Sequence, residues 1–366
     1  MGSLVVCCSC VGGLIQAAVG IGGNCGLRFR SLTNERIDLI CNLIDGTNYW
    51  APTMKILDAA ATRAALPFDR LIPALRALFA SGCEVPRRHV HELRSADGSL
   101  MTSLIMPAWL PGRFYGVKTV NIASGNAARG LPGLHSSYQL YDAVSGAPLA
   151  WLDGDQITSR RTAAASALAA SWLAPAQARH LLLVGAGQVA RLLPEAYRVV
   201  RPIERVTVWA RSDDRAAGLV AELRAQGFDA RPATELSAAV SQADIISCAT
   251  LATVPVVQGA WLRRGSHLDL IGGFTPAMRE ADDACFAGAR LFVDTEEALA
   301  KSGDLLGPMS RGVFSATDVC ADLAALASGR ASGRANDDER TVFKSVGTAL
   351  EDLAAAILVH QGLPPD

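Results

Sequence analysis

The chain has 366 residues, of which 50% are hydrophobic, and its formal net charge at pH 7 is −1. This length and composition are typical of a globular protein with two domains, and the balanced charge does not favour a nucleic-acid partner. No apolar stretch has the length and flanks of a membrane span, and the cysteines after residue 53 lack metal-ligand spacing. We therefore predict a cytoplasmic protein with no metal site and no nucleic-acid or membrane partner.

The first 53 residues differ from the rest of the chain, because they contain five of its nine cysteines. We interpret residues 1–53 as an atypical, poorly ordered extension, with Met54 as the start of the folded protein. The segment Cys7-Cys8-Ser9-Cys10 has no histidine or second CxxC motif to complete a zinc site, so a metal cluster there is disfavoured.

Helices are predicted first, over residues 54–82, since Leu71, Leu75, Leu78 and Phe79 fall on one helical face. From residue 85 to residue 151 the hydrophobic period shortens toward two, which predicts strands. The predicted strands are residues 88–93, 100–106, 114–122, 137–142 and 148–152. An alanine-rich helix over residues 158–173 then leads into the second half of the chain.

The most informative motif is the turn GAGQVA at residues 185–190, which follows the apolar run of residues 181–184. A buried strand that turns into a helix through GxGxxA is typical of dinucleotide-binding proteins. The first glycine permits the tight turn, the second lets a pyrophosphate approach the backbone, and the helix N-terminus attracts phosphate. The residues assigned to the cofactor in this turn are Gly185, Ala186, Gly187, Gln188 and Val189.

The end of the next predicted strand, residues 205–210, indicates which nucleotide is favoured. An acidic residue there would bind the ribose hydroxyls of NAD, but the sequence is Trp209-Ala210-Arg211-Ser212, with Arg215 nearby. Guanidinium and hydroxyl groups suit a 2′-phosphate, so we predict NADP(H) as the preferred cofactor and NAD(H) as the alternative. The competing interpretation is that Arg211 is only a solvated loop charge.

The second half of the chain alternates strands with helices, which predicts an α/β fold with a Rossmann-type doubly wound parallel sheet. The predicted strands are residues 180–184, 206–209, 243–249, 267–270 and 291–293. Thr250 and Leu251 follow the strand that ends at residue 249, at the edge where such sheets bind cofactors, although an ordinary loop is the alternative. Gly272 is also assigned to the cofactor. After residue 313 the chain is predicted to be helical again, with a long helix over residues 341–360 that packs back on the first domain.

Several motifs in one order make the chain resemble the ornithine cyclodeaminase/mu-crystallin family from residue 54 to about residue 363. They are VPRR at 85–88, GVK at 116–118, ITSRRTA at 157–163, GAGQVA, IGGFTP at 271–276 with RE at 279–280, SGD at 302–304, and VFKSVG at 342–347 with LEDL at 350–353. The resemblance implies a homodimer and two domains. Residues 173–313 would form the Rossmann NAD(P)-binding domain, and residues 54–172 with 314–366 an α/β substrate-binding and dimerisation domain.

Three cations match positions that contact the substrate carboxylate or the cofactor in this family, namely Arg88, Lys118 and Arg161. A guanidinium can hold a carboxylate through two hydrogen bonds and so orient an imino acid toward the cofactor. The alternative for each is a salt bridge without function, and Arg160 could exchange roles with Arg161. We assign catalytic roles to Arg88 and Lys118, with Lys118 as a proton donor whose pKa falls on burial.

The sequence departs from the cyclodeaminase pattern at Phe274, where the corresponding segment of cyclodeaminases supplies an aspartate. Because a phenyl ring cannot act as a base, we favour imine reduction over cyclodeamination. We also count Phe274 among the substrate-binding residues. The predicted reaction is NAD(P)H-dependent reduction of a cyclic ketimine, of the Δ1-pyrroline-2-carboxylate type, to an L-amino acid. The alternatives are ornithine cyclodeamination, amino-acid dehydrogenation, and an NADPH-binding protein with little turnover.

Overall fold

The computed structural model describes residues 4–11, 14–21 and 54–364, without the side chains of the first two segments or of Ala127. The first two segments are antiparallel strands, β1 (Leu4–Val11) and β2 (Leu14–Ile21), which pair along their full length. The remainder of the extension predicted over residues 1–53 lies outside the described residues.

A six-stranded sheet forms the first part of the body of the protein, with the strand order β3-β8-β7-β6-β5-β4. Its strands are β3 (Lys55–Leu57), β4 (His89–Arg94), β5 (Leu100–Leu110), β6 (Phe114–Ile122), β7 (Leu134–Asp142) and β8 (Pro148–Asp153). Neighbours from β4 to β8 pair antiparallel, and β3 pairs parallel with β8. The alternation of buried and partly exposed residues along β6 shows that one face of the sheet is covered.

Helices cover that face. They begin with α1 (Ala59–Ala64), α2 (Phe68–Ser81) and α3 (Gly154–Leu173). The Asp153 carboxylate caps α3 by accepting a hydrogen bond from the Gln156 N–H at 2.8 Å. A side chain at Gly154 would come within 2.6 Å of the Ser136 backbone, so the glycine lets α3 start against β7. The buried alanines of α3 then allow close packing on both sides of the helix.

An eight-stranded sheet forms the second part, with the order β11-β10-β9-β12-β13-β16-β14-β15 and parallel pairing throughout. Its strands are β9 (His180–Val184), β10 (Arg205–Trp209), β11 (Asp229–Pro232), β12 (Ile245–Cys248), β13 (His267–Leu270), β14 (Arg290–Val293), β15 (Val319–Asp322) and β16 (Thr341–Lys344). The helices between them are α4 (Gln188–Val200), α5 (Asp213–Ala225), α6 (Leu236–Gln242), α7 (Glu297–Lys301), α8 (Gly303–Ser310) and α9 (Leu323–Ala327). This confirms the predicted Rossmann-type sheet.

The long helix predicted over residues 341–360 is wrong in its first part. Residues 341–344 form β16, which lies between β13 and β14, and the last helix, α10 (Ala349–Gln361), begins five residues later. All four residues of β16 are buried, as a central parallel strand requires. Because β15 and β16 join the parallel sheet, the predicted domain boundary at residue 313 does not follow the two sheets.

The last helix returns to the six-stranded sheet, as predicted. It contacts α2, α3 and the strands β5 and β6, and Leu353, Ala355 and Val359 are completely buried in the core. The covered face of that sheet is therefore closed by helices that precede the eight-stranded sheet in the chain and by one that follows it. Among the described residues, no helix combines the length and the apolar character that crossing a membrane requires.

Candidate active site

A cleft of about 580 Å³ lies at the carboxyl edge of the parallel sheet, at the loops that follow β9, β10 and β12. The strand order reverses at β9, because β10 and β12 lie on opposite sides of it, and doubly wound sheets bind ligands at this position. The lining residues are Gly185, Ala186, Gly187, Trp209, Ala210, Arg211, Ser212, Arg215, Ala249, Thr250, Leu251, Ala252 and Val256.

The glycine turn has the shape that a pyrophosphate needs. Gly185 has a φ of +117°, and a Cβ there would lie 2.6 Å from the Ala249 carbonyl oxygen, so the position requires glycine. Gly187 precedes α4, and a Cβ built on it meets no atom within 4 Å, so its backbone faces open space. The first turn of α4 offers N–H groups without partners inside the helix, and a dinucleotide fits this arrangement.

The end of β10 supplies the polar side of the cleft. The Ser212 hydroxyl caps α5 by accepting a hydrogen bond from the Arg215 N–H at 3.4 Å, and Arg211 is exposed at the rim. Asp213 and Asp214 lie in the first turn of α5 and are not among the lining residues. Among the described residues that line the cleft, none is acidic. The cleft therefore presents guanidinium and hydroxyl groups where an NAD-specific site has a carboxylate.

Most of the residues predicted to bind the cofactor line this cleft, but Gln188, Val189 and Gly272 do not. Gln188 and Val189 begin α4 directly after the lining glycine. Gly272 is buried, and a Cβ there would overlap the Thr250 carbonyl oxygen, so Gly272 supports the cleft wall from behind. Glycine is needed at this position because any side chain would collide with Thr250.

The three predicted cations converge at a second place. Lys118 of β6 lies with Nζ 2.7 Å from Oδ2 of Asp352, and Nε of Arg161 donates to Oδ1 of the same carboxylate at 3.0 Å. Arg88 donates to the carbonyl oxygen of Gly347 at 3.2 Å. A Cβ on Gly347 would lie 2.5 Å from NH1 of Arg161, so this glycine admits the guanidinium. The cations therefore meet around Gly347 and Asp352.

The two sites lie at the same edge of the parallel sheet. Gly347 follows β16 by three residues, and parallel strands end at a common edge, which is also where the glycine turn after β9 lies. The Asp294 carboxylate, next to β14, accepts hydrogen bonds from the N–H groups of Val346 and Gly347 at 2.7 and 2.6 Å. This carboxylate fixes the position of Gly347 between Arg88 and Arg161.

Arg161, and not Arg160, belongs to this cluster. Arg160 donates to the Leu66 carbonyl oxygen at 2.6 Å and stacks over the Phe68 ring at 4.1 Å, so it stabilises the start of α2. Arg88 differs from the expectation in two ways. It precedes β4, which begins at His89, and it forms a part-exposed ion pair with Glu297 of α7 at 3.2 Å.

Two acidic residues complete the cation cluster, and the sequence alone indicates no role for them. Glu351 accepts a hydrogen bond from NH1 of Arg161 at 2.6 Å, and both Glu351 and Asp352 are completely buried. The sequence feature that points to them is their occurrence side by side in α10, which is otherwise apolar as far as Val359, since carboxylates are rarely buried without partners. Burial lowers the pKa of Lys118 to about 8, against the opposing effect of Asp352, and burial raises the pKa of Glu351 to about 7 despite Arg161.

A second buried charged group lies behind the loop that follows β13. Lys344 of β16 and Asp304 of α8 form an ion pair of 3.2 Å with both side chains fully buried. The Ser302 hydroxyl donates to the Gly273 carbonyl oxygen at 2.6 Å, and a Cβ on Gly273 would overlap Asp304. Phe274, the next residue, is 44% exposed. The structure thus places the phenyl ring on the loop surface, and its contact with substrate stays a prediction.

Comparison with known proteins agrees with this architecture. A profile of the ornithine cyclodeaminase/mu-crystallin family matches residues 56–364. The chain is 46% identical over 257 residues to a Δ1-pyrroline-2-carboxylate reductase from Paracoccus denitrificans, covering 70% of this chain and 81% of the relative.

Two solved structures are similar in fold and sequence. The first is Δ1-pyrroline-2-carboxylate reductase from Thermococcus litoralis in complex with NADH and L-proline, with a TM-score of 0.78 and 32% identity over 84% of this chain and 97% of the other. The second is an archaeal alanine dehydrogenase dimer with bound NAD, with a TM-score of 0.77 and 29% identity over 84% of this chain and 95% of the other.

Proposed function

The chain belongs to the ornithine cyclodeaminase/mu-crystallin family, and from this premise we propose that it is an NAD(P)H-dependent reductase of a cyclic ketimine. Δ1-Pyrroline-2-carboxylate is the representative substrate and L-proline the corresponding product. The observation that carries the proposal is the convergence of Arg88, Lys118 and Arg161 beside the edge of the sheet that holds the nucleotide cleft.

The charge of the cation cluster favours a carboxylate ligand. Lys118 and Arg161 are balanced by Asp352 and by Glu351, whose pKa of about 7 leaves it partly protonated at neutral pH. Beside it, Arg88 and Lys301 share the single carboxylate of Glu297, so this partly exposed side of the cluster carries an excess positive charge. Since Nε and NH1 of Arg161 bind the buried acids, we expect Arg161 to reach the substrate carboxylate through NH2.

The reduction needs a hydride at the imine carbon and a proton at the imine nitrogen. The bound NAD(P)H supplies the hydride. Lys118 is the proton donor, because its ammonium group is buried in the cluster and its pKa of about 8 is close to working pH. Arg88 and Arg161 hold the carboxylate and so fix the orientation of the neighbouring C=N bond.

We also propose that NADP(H) is preferred over NAD(H). Arg211, Ser212 and Arg215 supply two guanidinium groups and a hydroxyl at the place where a 2′-phosphate would lie. The relatives with bound NADH and NAD show that this fold also takes the unphosphorylated nucleotide. We therefore attribute the preference for NADP(H) over NAD(H) to these three side chains.

The protein is further proposed to form a homodimer through the uncovered face of the six-stranded sheet. Ile56, Tyr115 and Trp151 are exposed on that face, and Tyr115 contacts the rings of Trp109 and Tyr141. A continuous exposed surface of aromatic and aliphatic side chains is typical of an interface. The alanine dehydrogenase to which the chain is similar is a dimer, which supports a second copy as the occupant.

To test the proposal, we would measure the oxidation of NADPH and, separately, of NADH by the purified protein in the presence of Δ1-pyrroline-2-carboxylate. Fast oxidation with formation of proline is expected. Parallel reactions with ornithine and NAD, and with a keto acid, ammonia and NADPH, examine cyclodeamination and amino-acid dehydrogenation. Ammonia release from ornithine, or oxidation only with the keto acid, would overturn the proposal. Tight NADPH binding without turnover of any of these substrates would instead support a binding protein.

A further inference from the structure

We propose that Glu280 is a positioning residue for the nucleotide site, because its carboxylate joins the two loops that follow β12 and β13. The inference rests on the proposed nucleotide binding and adds a residue that does not itself line the cleft. Glu280 is completely buried and lies eight residues after Gly272 in the chain.

Each oxygen of the Glu280 carboxylate holds one loop. Oε1 accepts hydrogen bonds from the backbone N–H and the hydroxyl of Thr250, at 2.7 and 2.8 Å. Oε2 accepts a hydrogen bond from the Gly272 N–H at 2.7 Å. The ionised carboxylate is an acceptor at both oxygens, so a single side chain satisfies donors from two adjacent strand ends.

The loop held by Oε1 forms a wall of the cleft. Thr250, Leu251 and Ala252 line it, and the Ala252 carbonyl oxygen accepts a hydrogen bond from the Arg279 N–H at 2.7 Å. Gly185 packs against the same wall, since a Cβ there would lie 3.4 Å from Cγ2 of Thr250. Moving Thr250 would therefore change the space in front of the glycine turn.

Glu280 is itself rigidly placed. Its N–H donates to Oδ1 of Asp304 at 2.7 Å, and its carbonyl oxygen accepts from the N–H groups of Val256 and Val257 at 2.8 and 2.9 Å. Asp304 also pairs with Lys344. The hydrogen bonds that hold the cleft wall are therefore connected through Asp304 to the buried ion pair behind Gly273. The carboxylate thus has a fixed frame from which to hold both loops.

The protonation state of Glu280 controls this contact. The charged or titratable groups that face it are Lys344 of β16, Asp304 of α8 and Cys248 of β12. Burial raises the pKa of Glu280 to about 7, against the effect of Lys344. Protonation removes the negative charge and makes one oxygen a weaker acceptor, which weakens the hydrogen bonds to the loops. Nucleotide binding is then stronger above pH 7 and weakens as the pH falls through 7.

The experiment measures binding of NADH and of ADP-ribose to the full chain by calorimetry from pH 6 to pH 8.5. ADP-ribose lacks the nicotinamide, so its binding does not involve the ring-side contacts near Lys118. For the wild type we expect the Kd of both ligands to rise several-fold between pH 8 and pH 6. Glu280→Gln should raise both Kd values about ten-fold at pH 8, because one end of the amide is a donor, and should remove the pH dependence.

The matched control is Glu235→Gln, which makes the same change at an exposed residue outside the cleft and should bind like the wild type. If Glu280→Gln does not fold, Thr250→Val removes the hydroxyl that donates to Glu280 and accepts from the Ala252 N–H, leaves the bond from the Thr250 N–H, and should weaken binding a few-fold. Equal affinity of wild type and Glu280→Gln, or a wild-type Kd that is constant with pH, would overturn the inference. Absence of binding by the wild type at every pH would instead contradict the proposed nucleotide site.

Discussion

The ammonium group of Lys118 and the carboxylate of Asp352 lie 2.7 Å apart, with side chains that are 2% and 0% exposed. The two residues are on β6 and α10, far apart in the chain, and Asp352 also receives the Nε–H of Arg161. One carboxylate therefore fixes the distance between the proposed proton donor and a proposed carboxylate-binding residue. Removing it should disturb both roles.

Asp352→Asn is expected to lower the pKa of Lys118 further below 8, since the carboxylate opposes the effect of burial. A proton donor is active in its protonated form, so wild-type kcat should decline as the pH rises through about 8. In the variant this decline should move about one pH unit lower. The measurement is kcat against pH, with the exposed Asp97→Asn as control. An unmoved alkaline limb would argue against Lys118 as the donor.

Arg161→Lys should raise the KM for the imino acid about ten-fold or more, because an ammonium group cannot reproduce the contacts of the guanidinium with Glu351, Asp352 and substrate. The neighbouring Arg160→Lys provides the control. It removes the bond to the Leu66 carbonyl oxygen and the stacking on Phe68, so it should lower thermal stability while leaving KM near the wild-type value. Equal effects of both substitutions on KM would show that Arg161 has only a structural role.

Arg211→Gln should weaken NADPH binding about ten-fold and leave NADH binding nearly unchanged, because only NADPH carries the phosphate. Fluorescence titration with the two nucleotides measures both affinities. Arg231→Gln, an exposed residue that pairs with Asp229 away from the cleft, is the control. A parallel loss of NADPH and NADH affinity in Arg211→Gln would mean that Arg211 contacts a part common to both nucleotides.

Trp151→Arg should convert the proposed dimer into a monomer, since it places a charge among the exposed apolar side chains on the uncovered face of the six-stranded sheet. A loss of at least roughly thirty-fold in dimer affinity is expected if this tryptophan is buried by the second copy. Sedimentation over a range of concentrations measures it. Val144→Arg changes a residue that is 78% exposed outside the strands and should leave assembly intact. A wild-type protein that is monomeric at high concentration would refute the proposal directly.

The parts of the site that are local in sequence could be predicted from it. The turn at Gly185 and Gly187 and the cleft-lining role of Arg211 follow from one strand, one turn and the start of one helix. The alternation along β6 predicted its extent correctly, since one face of that strand is covered.

The parts that depend on distant contacts could not be predicted. Residues 341–344 form a strand that is buried on both sides, and a short apolar run of this kind has no periodicity that separates it from a helix. The role of Asp352 depends on the packing of α10 against β6, which the sequence does not show. Gly272 is predicted to bind the cofactor, but packing against Thr250 explains why it is glycine.

The position of β16 has a consequence for synthesis of the protein. Since β16 lies between β13 and β14, a nascent chain that ends before residue 341 holds two partial sheets, β11-β10-β9-β12-β13 and β14-β15, each with an unpaired edge. Such edges are open to association with other chains. The ribosome must therefore release nearly the whole sequence before these two halves can join, and the glycine turn after β9 can be complete well before the cluster around Gly347 exists.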